Sequence, residues 1–267
     1  MAGYKAVCHA NNAEYSKNNV RSASRVVCEE LAAAGVALLE DFVSEGEAAA
    51  LLAYCDGPGA WDCSLSRRVQ HYGYRFAYAT KSCEAVEAPL PSAFRAISAR
   101  VAAGVSATPW ADDSGVQCTV NEYLPGQGIA PHVDTHAAFA DGLFSLTLGA
   151  GVAMRLQKNR RTAKDAPVHT LWLPPRSLLC LTGDARYVYT HGIVSRKGDL
   201  VDGDWRPRGR RVSLTFRHLP PAGPCPCGRP EACDAREGGA PKLLPTRLRP
   251  PPESHEARAA QGTGDET

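Results

Sequence analysis

The sequence lacks the run of about 18 consecutive apolar residues that a membrane-spanning helix requires, and its N-terminus lacks the apolar segment of a secretory signal. Residues 1–26 contain a single acid, Glu14, against four basic side chains, which is faintly typical of an organelle transit peptide. The alternative is a polar leader. We therefore expect no membrane association and a cytoplasmic location, with the nucleus as an alternative.

A strong excess of either charge is also missing. The chain has 30 Lys and Arg against 28 Asp and Glu, a formal net charge of +2. Overall charge therefore gives no indication of nucleic-acid binding, and any such function needs a local basic patch. The 267 residues, 44% of them hydrophobic, are enough for one globular domain with extensions.

Three side chains that can bind metals stand at alternate positions of one short stretch: His132, Asp134 and His136. In an extended strand, side chains two residues apart point to the same face, so His132 and Asp134 could meet one ion. Two histidines and one carboxylate form the facial triad of non-haem Fe(II) oxygenases. The distant second histidine would be His191, for which a structural role is the alternative.

Two arginines share one face of the strand predicted over residues 211–217, Arg211 and Arg217. The other face carries Val212, Leu214 and Phe216. Buried guanidinium groups need anionic partners, and arginine binds carboxylates in a bidentate manner. A small dicarboxylate would therefore suit this face, either with one arginine at each end or with one arginine on a carboxylate and the other as a support behind it. Asn121 and Tyr123 on another predicted strand could help to bind it. The alternative is two surface arginines on an edge strand.

The stretch 67–78 interleaves basic and aromatic residues. It contains Arg67, Arg68, His71, Tyr72, Tyr74, Arg75, Phe76 and Tyr78. Arginine pairs with phosphate and aromatic rings stack on bases, so this composition is typical of a surface that binds single-stranded nucleic acid. An amphipathic hairpin with ordinary aromatic packing is the alternative.

Short strands dominate the predicted secondary structure, most of them from residue 117 onward. We predict them at 36–42, 117–123, 143–148, 152–157, 170–173, 177–182, 186–193 and 211–217. Such spacing indicates a sandwich or a barrel. Ser44 and Glu47 predict a capping box that opens a helix, residues 89–107 fit an amphipathic helix, and 195–210 read as a charged loop.

Three of the ten cysteines are clustered, at Cys225, Cys227 and Cys233. Without a secretory signal, such a cluster indicates a metal site before it indicates disulfides. Structural zinc takes four ligands, so a fourth is needed from His136, His218 or a carboxylate. An unmetallated Cys-rich loop is the alternative.

Several of these residues belong to motifs in a fixed order. They are Asn121-x-Tyr123-x-Pro125-Gly126-x-Gly128, His132-x-Asp134, Thr182-Gly183-x-x-Arg186-Tyr187, His191-Gly192-Ile193 and Arg211-x-Ser213-x-Thr215-Phe216-Arg217. In this order the chain resembles the AlkB family of Fe(II)/2-oxoglutarate dioxygenases over roughly residues 36–234, and within it the homologue 8 subfamily. The resemblance implies a mainly β fold with flanking helices, the double-stranded β-helix or jelly roll, with nucleotide-recognition lids.

The resemblance also implies roles for individual residues. It assigns iron to His132, Asp134 and His191, and 2-oxoglutarate to Asn121, Tyr123, Arg211, Arg217 and, as a helper, Ser213. It makes 67–74 the first lid, with Arg67, Arg68, His71, Tyr72 and Tyr74 binding substrate. It also favours His136 as the fourth zinc ligand, beside Cys225, Cys227 and Cys233. The expected cofactors are thus Fe(II), 2-oxoglutarate and Zn(II).

The implied activity is hydroxylation of 5-methoxycarbonylmethyluridine at the wobble position of a tRNA anticodon loop. The alternatives are oxidative demethylation of N-alkylated bases in DNA or RNA, and a binding module without turnover. Animal members of the subfamily carry an RNA-recognition module and a methyltransferase, for which residues 1–35 and the C-terminal segment are too short. We therefore expect a separate methyltransferase as a partner.

The expected organisation has five parts. They are a polar leader at 1–35, helices and the lid at 36–114, the jelly-roll core at 115–220, the zinc-binding segment at 221–236 and a disordered tail at 237–267. The tail is expected because half of the 20 prolines lie between Pro220 and Pro252, and Pro-, Gly- and charge-rich segments do not bury enough apolar surface to fold.

Overall fold

The computed structural model describes residues 22–235, except 58–60, 78–79, 87, 105–109, 111–114, 160–162 and 164. The tail predicted at 237–267 and most of the predicted leader lie outside the described residues. The described end of the leader is tied to the fold, because Ala23 and Ser24 form isolated bridges with Val201 and Leu171.

Four helices occur among the described residues. They are α1 (Glu29–Ala34), α2 (Glu45–Cys55), α3 (Ser92–Gly104) and α4 (Gly183–Tyr187). The predicted capping box is confirmed, since the Ser44 hydroxyl accepts from the Glu47 amide and the Glu47 carboxylate accepts from the Ser44 amide. No described helix combines the length and the apolar character that crossing a bilayer requires.

Fourteen strands form the rest of the described framework. In chain order they are β1 (Val36–Leu39), β2 (Val69–Tyr72), β3 (Tyr74–Ala77), β4 (Ser82–Ala85), β5 (Val116–Tyr123), β6 (Ile129–His132), β7 (Leu143–Gly149), β8 (Val152–Lys158), β9 (His169–Leu173), β10 (Leu178–Leu181), β11 (Tyr189–Ile193), β12 (Gly198–Val201), β13 (Asp204–Pro207) and β14 (Arg211–His218).

Two antiparallel sheets make the predicted jelly roll. The major sheet has the order β1-β10-β7-β14-β5-β2, and the minor sheet has the order β6-β11-β8-β9. One hydrophobic core lies where α2 and α3 pack on the major sheet, with Phe94 among its members, and a second joins residues of both sheets, with Leu156 among its members. The mainly β prediction is confirmed.

The predicted alternation along β14 is confirmed. Val212, Leu214 and Phe216 enter the core beneath the helices. Strand alternation places Arg211 and Arg217 on the opposite face, which is turned toward the minor sheet. Both neighbours of β14 are strands of the same sheet, so the alternative of an edge strand is wrong.

Four local expectations need correction. The strand predicted over 186–193 begins only at Tyr189, because Arg186 and Tyr187 belong to α4. The stretch 67–78 is not a hairpin, because β2 pairs with β5 whereas β3 pairs with β4. The charged loop predicted at 195–210 contains the β12–β13 hairpin. The strand predicted over 36–42 ends at Leu39.

The expected division at residue 115 falls within the major sheet. Strands β1 and β2 precede that residue, and the other strands of the major sheet follow it.

Candidate active site

Three potential metal ligands predicted from the sequence meet at one point. One ligand atom each from His132, Asp134 and His191 lies within 4.8 Å of the others. His132 ends β6 and His191 lies in β11, and the two residues are cross-strand partners. Asp134 lies beyond the end of β6, so its position depends on the irregular segment after that strand rather than on the strand periodicity that we assumed.

Hydrogen bonding orients His132 for a ligand. Its Nδ1 lies 2.8 Å from the carbonyl oxygen of Ala130 and therefore donates to it. This contact leaves Nε2, 3.4 Å from Asp134, as the atom with a free lone pair. A carbonyl that fixes one ring nitrogen is the usual outer-shell contact of a metal-binding histidine.

Electrostatics favour the protonation states that a metal needs. Burial alone would raise the pKa of Asp134, but Arg217 and the two histidines outweigh it and hold that pKa well below its usual range. Burial, helped by the proximity of His132, lowers the pKa of His191 to about 3. At neutral pH the group therefore offers a carboxylate and a neutral imidazole, the forms that bind metal.

The loop that carries Asp134 is held by Arg186, whose role sequence reasoning missed. This guanidinium is 2% exposed and donates to the carbonyl oxygens of Asp134 at 2.7 Å and of Thr135 and Phe139, each at 3.2 Å. Arg186 belongs to the motif Thr182-Gly183-x-x-Arg186-Tyr187, but the sequence gives no local indication that its side chain donates to three backbone carbonyl groups of a distant loop.

A pocket opens between the two sheets beside this metal group. It is lined by Asn121, Tyr123, Ile129, His132, Leu143, Ser145, Met154, Leu179, Leu181, His191, Ile193, Arg211, Ser213 and Thr215. The lining is largely apolar, with histidines and an arginine as its charged or metal-binding members. It therefore joins the predicted metal group to three of the side chains expected to hold a dicarboxylate, and to Ser213.

Arg211 is a buried cation without an acidic partner among the described residues. Its Nη2 donates to Thr147 at 3.0 Å, whereas its buried Nε has no hydrogen-bond partner. Burial lowers the pKa of Arg211 to about 10, although the Tyr123 hydroxyl opposes this shift. A buried guanidinium with an unsatisfied N–H fits an anionic ligand such as a carboxylate.

Arg217 has a different environment from Arg211. Its Nε donates to the Asp134 carboxylate at 2.6 Å and its Nη1 donates to Gln117 at 3.0 Å. We expected either one arginine for each end of a dicarboxylate, or one arginine on the carboxylate and the other as a support behind the site, and the contacts of Arg217 fit the second arrangement. In the structure only Arg211 lines the pocket, and Arg217 supports the metal group.

The five residues predicted to bind substrate fall on both faces of β2 and beyond it. Arg67 donates to Asn121 at 3.2 Å, and His71 lies 3.4 Å from Thr119, so both lie on the pocket side.

Arg68 instead pairs with Glu122, which faces the helices. Tyr72 packs on Phe94 in the core. Tyr74 is half-buried against the Phe139 cluster. Arg68 and Tyr72 thus do not face the pocket, contrary to prediction.

A second group of possible metal ligands lies near the first. One ligand atom each from His136, Cys227 and Cys233 lies within 4.8 Å of the others. Cys225, the remaining predicted ligand, is not part of that group, but burial, together with the neighbouring Cys227 and Cys233, raises the pKa of its thiol. Nδ1 of His136 is buried without a partner. His218, the alternative fourth ligand, stacks on Trp110 instead.

Comparison with known proteins identifies the family. Residues 6–217 match the model of the 2OG-Fe(II) oxygenase superfamily. A Xenopus tropicalis protein named tRNA (carboxymethyluridine(34)-5-O)-methyltransferase alkbh8 is 34% identical over 235 residues, covering 79% of this chain and 36% of that protein. An Arabidopsis thaliana protein named Alkylated DNA repair protein ALKBH8 homolog is 38% identical, covering 78% of this chain and 64% of that protein.

The chain thus spans about a third of the frog protein's length and under two thirds of the plant protein's. The solved structure of OsALKBH1 superposes with a TM-score of 0.51 at 19% identity, covering 69% of this chain and 96% of that one, which supports the fold. With its jelly roll, metal group and pocket, the chain belongs to the 2OG-Fe(II) oxygenase superfamily and has homology to the AlkB family over its oxygenase region.

Proposed function

We propose that this dioxygenase hydroxylates a modified uridine, 5-methoxycarbonylmethyluridine, at the wobble position of a tRNA anticodon loop. The proposal rests mainly on the short segment 132–136, which contributes ligands to two groups of possible metal ligands. His132 and Asp134 belong to the group at the pocket, and His136 belongs to the cysteine group. The frog relative, named as a methyltransferase of carboxymethyluridine 34, supports a substrate of this class.

Fe(II) and 2-oxoglutarate are the cofactors of this superfamily. His132, Asp134 and His191 would hold the iron, whose open positions suit a chelating co-substrate and oxygen. Arg211 would pair with the far carboxylate of 2-oxoglutarate, beside the hydroxyls of Tyr123 and Ser213. When bound, the pair supplies an oxidant for C–H hydroxylation as 2-oxoglutarate is converted to succinate and carbon dioxide.

The protein's own part is to bind, orient and exclude water. Arg186 donates to the backbone carbonyl oxygen of Asp134, and Arg217 donates to the Asp134 carboxylate. The two contacts fix the position of this metal ligand. The apolar lining, which includes Leu179 and Met154, limits water around the reacting groups. Fixed geometry of this kind is what the protein contributes, whereas the oxidation itself belongs to the cofactors.

The proposed reaction is tested with iron, 2-oxoglutarate and two RNA substrates. A tRNA that carries 5-methoxycarbonylmethyluridine should gain the mass of one oxygen atom on that nucleoside after digestion. An RNA with N-methylated bases tests the second candidate, which a zebrafish relative named Probable RNA/DNA demethylase ALKBH6 favours, at 34% identity over 38% of this chain. Formaldehyde release from the methylated RNA, without oxygen gain on the uridine, would establish demethylation instead.

The methyl ester of the proposed substrate must come from a methyltransferase. The frog relative is named for that activity. We propose that a separate tRNA methyltransferase acts before the dioxygenase. The product of that methyltransferase is the ester that this pocket would receive. Transfer RNA from cells without the methyltransferase activity should therefore contain no substrate for the dioxygenase.

The second group is proposed as a structural zinc site formed by His136, Cys225, Cys227 and Cys233. Three thiols and one imidazole are a common zinc donor set, and the unpartnered Nδ1 of His136 fits a fourth ligand. The site would tie the C-terminal segment to the turn that follows Asp134, which Asp234 already contacts by accepting from the His136 amide at 2.9 Å.

Replacing Cys227 by serine should remove bound zinc and lower thermal stability, because closed zinc sites contribute directly to folding. Elemental analysis would show about one zinc per chain in the wild type and a small fraction of it in the variant. Cys63→Ser is the matched control, since Cys63 is exposed and outside the group. Equal zinc content in wild type and Cys227→Ser would contradict the site.

A further inference from the structure

The loop that connects β6 to β7, residues 133–142, is described throughout and contains no helix or strand. It carries the proposed iron ligand Asp134. Its backbone groups need partners from other parts of the chain. Arg186 of α4 is one source of such partners, and residues 225–234, here called the cysteine segment, are another. The proposed zinc site gives the cysteine segment a role in folding, but no role in binding iron.

The cysteine segment first contacts the loop at His136, two residues after Asp134. The His136 ring belongs to the second metal group together with Cys227 and Cys233. Its backbone amide donates to the Asp234 carboxylate at 2.9 Å. Because His136 is 2% exposed, a metal ion and Asp234 would together fix the side chain and the backbone of a buried residue close in sequence to the iron ligand.

A second contact is made by Arg229, which joins the cysteine segment to α4. Its Nε donates to the Asp184 carboxylate at 2.8 Å, and its guanidinium lies 6.0 Å from the centre of the Tyr187 ring. Its Nη1 donates to the backbone carbonyl oxygen of Cys227 at 3.1 Å. One side chain therefore connects a residue of the second metal group to the helix that carries Arg186.

Helix α4 and the loop are joined at two points. The Gly183 amide at the start of α4 donates to both carboxylate oxygens of Asp141, at 3.0 and 3.2 Å, near the end of the loop. Arg186 donates to the Asp134 carbonyl oxygen, near the start of the loop, at 2.7 Å. Since the cysteine segment contacts both the loop and the helix, a displacement of this segment would reach Asp134 by two routes.

We propose that the cysteine segment is a positioning element of the iron site, so that a metal ion in the cysteine group raises the affinity for Fe(II). Asp234 acts through the His136 backbone and Arg229 acts through α4, so both are positioning residues. The inference rests on the proposed zinc site, and it does not depend on which base is oxidised. Because the coupling of two binding sites is reciprocal, bound iron raises the affinity for zinc by the same factor.

The two contacts differ in their expected effects. The Arg229 and Asp184 side chains are 36% and 49% exposed, and an exposed ion pair changes an equilibrium constant by at most about fivefold. Contacts that orient a metal ligand change metal affinity by roughly 10- to 100-fold. We therefore expect the metal ion and Asp234 to affect iron binding more strongly than Arg229 does.

The first test compares iron affinity with the cysteine group filled and empty. Wild type, Cys227→Ser and Cys63→Ser are loaded with zinc, and a mild chelator then removes zinc from the histidine and carboxylate group, since thiolates favour zinc. Fe(II) affinity is measured without oxygen, by competition with a coloured iron chelator. Iron should bind about tenfold more weakly to Cys227→Ser, and with unchanged affinity to Cys63→Ser, whose cysteine is exposed and outside the group.

Variants that keep every ligand of the cysteine group separate positioning from folding. In zinc-loaded protein, Asp234→Ala should weaken iron binding about tenfold. Asp234→Asn keeps an acceptor oxygen for the His136 amide and should retain most of the affinity. Arg229→Leu should weaken iron binding about threefold, whereas Arg25→Leu removes an exposed ion pair elsewhere and should leave it unchanged.

The reciprocal measurement distinguishes coupling from a merely structural role. The zinc affinity of the wild type is measured with and without saturating Fe(II), and iron should raise it by the factor by which zinc raises iron affinity. Asp234→Ala should reduce this shared factor. A residue that only stabilises the fold would lower the affinity for zinc without making that affinity depend on iron.

Equal iron affinity in Cys227→Ser and Cys63→Ser overturns the inference, as does a wild type that holds no zinc. Should Cys227→Ser fail to fold, unchanged iron affinity in both Asp234→Ala and Arg229→Leu overturns it. Coupled affinities in a protein that adds no oxygen to the uridine support the inference and contradict the proposed reaction. Uncoupled affinities in a protein that hydroxylates the uridine do the reverse.

Discussion

His191→Ala is expected to reduce succinate formation by more than about a hundredfold, since even loss of an outer-shell contact to a metal ligand costs 10- to 100-fold. His191 contributes one of the three atoms of the metal group and is 8% exposed, so no other side chain replaces it without rearrangement. Iron content after reconstitution should fall together with turnover. Succinate is measured with 2-oxoglutarate in excess, so that weaker co-substrate binding does not imitate the loss.

The matched control for that variant is His169→Ala. His169 is a half-buried histidine of β9 that contacts Glu30 and Cys28 and does not line the pocket. It should retain both iron and succinate formation. Turnover by His191→Ala at the wild-type rate would show that the metal is held elsewhere.

Arg211→Leu is expected to raise the KM for 2-oxoglutarate by about a hundredfold, because removing one partner of a buried charge pair costs roughly 2–5 kcal/mol. Iron binding should persist, since Arg211 lies outside the metal group. Leucine also relieves the burial of an unpaired cation, so the free variant should be at least as stable as the wild type. Loss of co-substrate binding without loss of stability distinguishes a ligand contact from a packing role.

Two further variants, Arg211→Lys and Arg25→Leu, serve as an intermediate case and as a control for the change in KM. Lysine keeps the charge but not the bidentate geometry, so an intermediate KM is expected. Arg25 forms an exposed ion pair with Asp202, and its loss should leave the KM unchanged. An unchanged KM in Arg211→Leu would contradict the assignment of the pocket's cationic end to 2-oxoglutarate.

The sequence predicted those parts of the site that depend on strand periodicity and on the order of motifs. Alternation along 211–217 placed Arg211 on the pocket face and Val212 in the core, as observed. The grouping of His132 and Asp134 with His191 was also predicted, although Asp134 reaches the site through a loop held by Arg186. Such a tertiary contact has no local periodicity by which it could be recognised.

Composition was a weaker guide than periodicity for the lid. The stretch 67–78 was treated as one basic and aromatic surface, but β2 is a strand of the major sheet and its side chains alternate between two faces. Tyr72 therefore enters the core while His71 faces the pocket side. The same rule applied to 117–123 would have added Gln117 and Thr119 to Asn121 and Tyr123.

The fate of molecular oxygen tests the central claim most directly. The wild-type protein is supplied with iron, 2-oxoglutarate, isotopically heavy oxygen gas and tRNA that carries 5-methoxycarbonylmethyluridine. The account predicts one heavy oxygen atom in the hydroxylated uridine and one in succinate, in equal amounts. Heavy succinate formed at the same rate with and without this tRNA, with no heavy oxygen in the nucleoside, would contradict it.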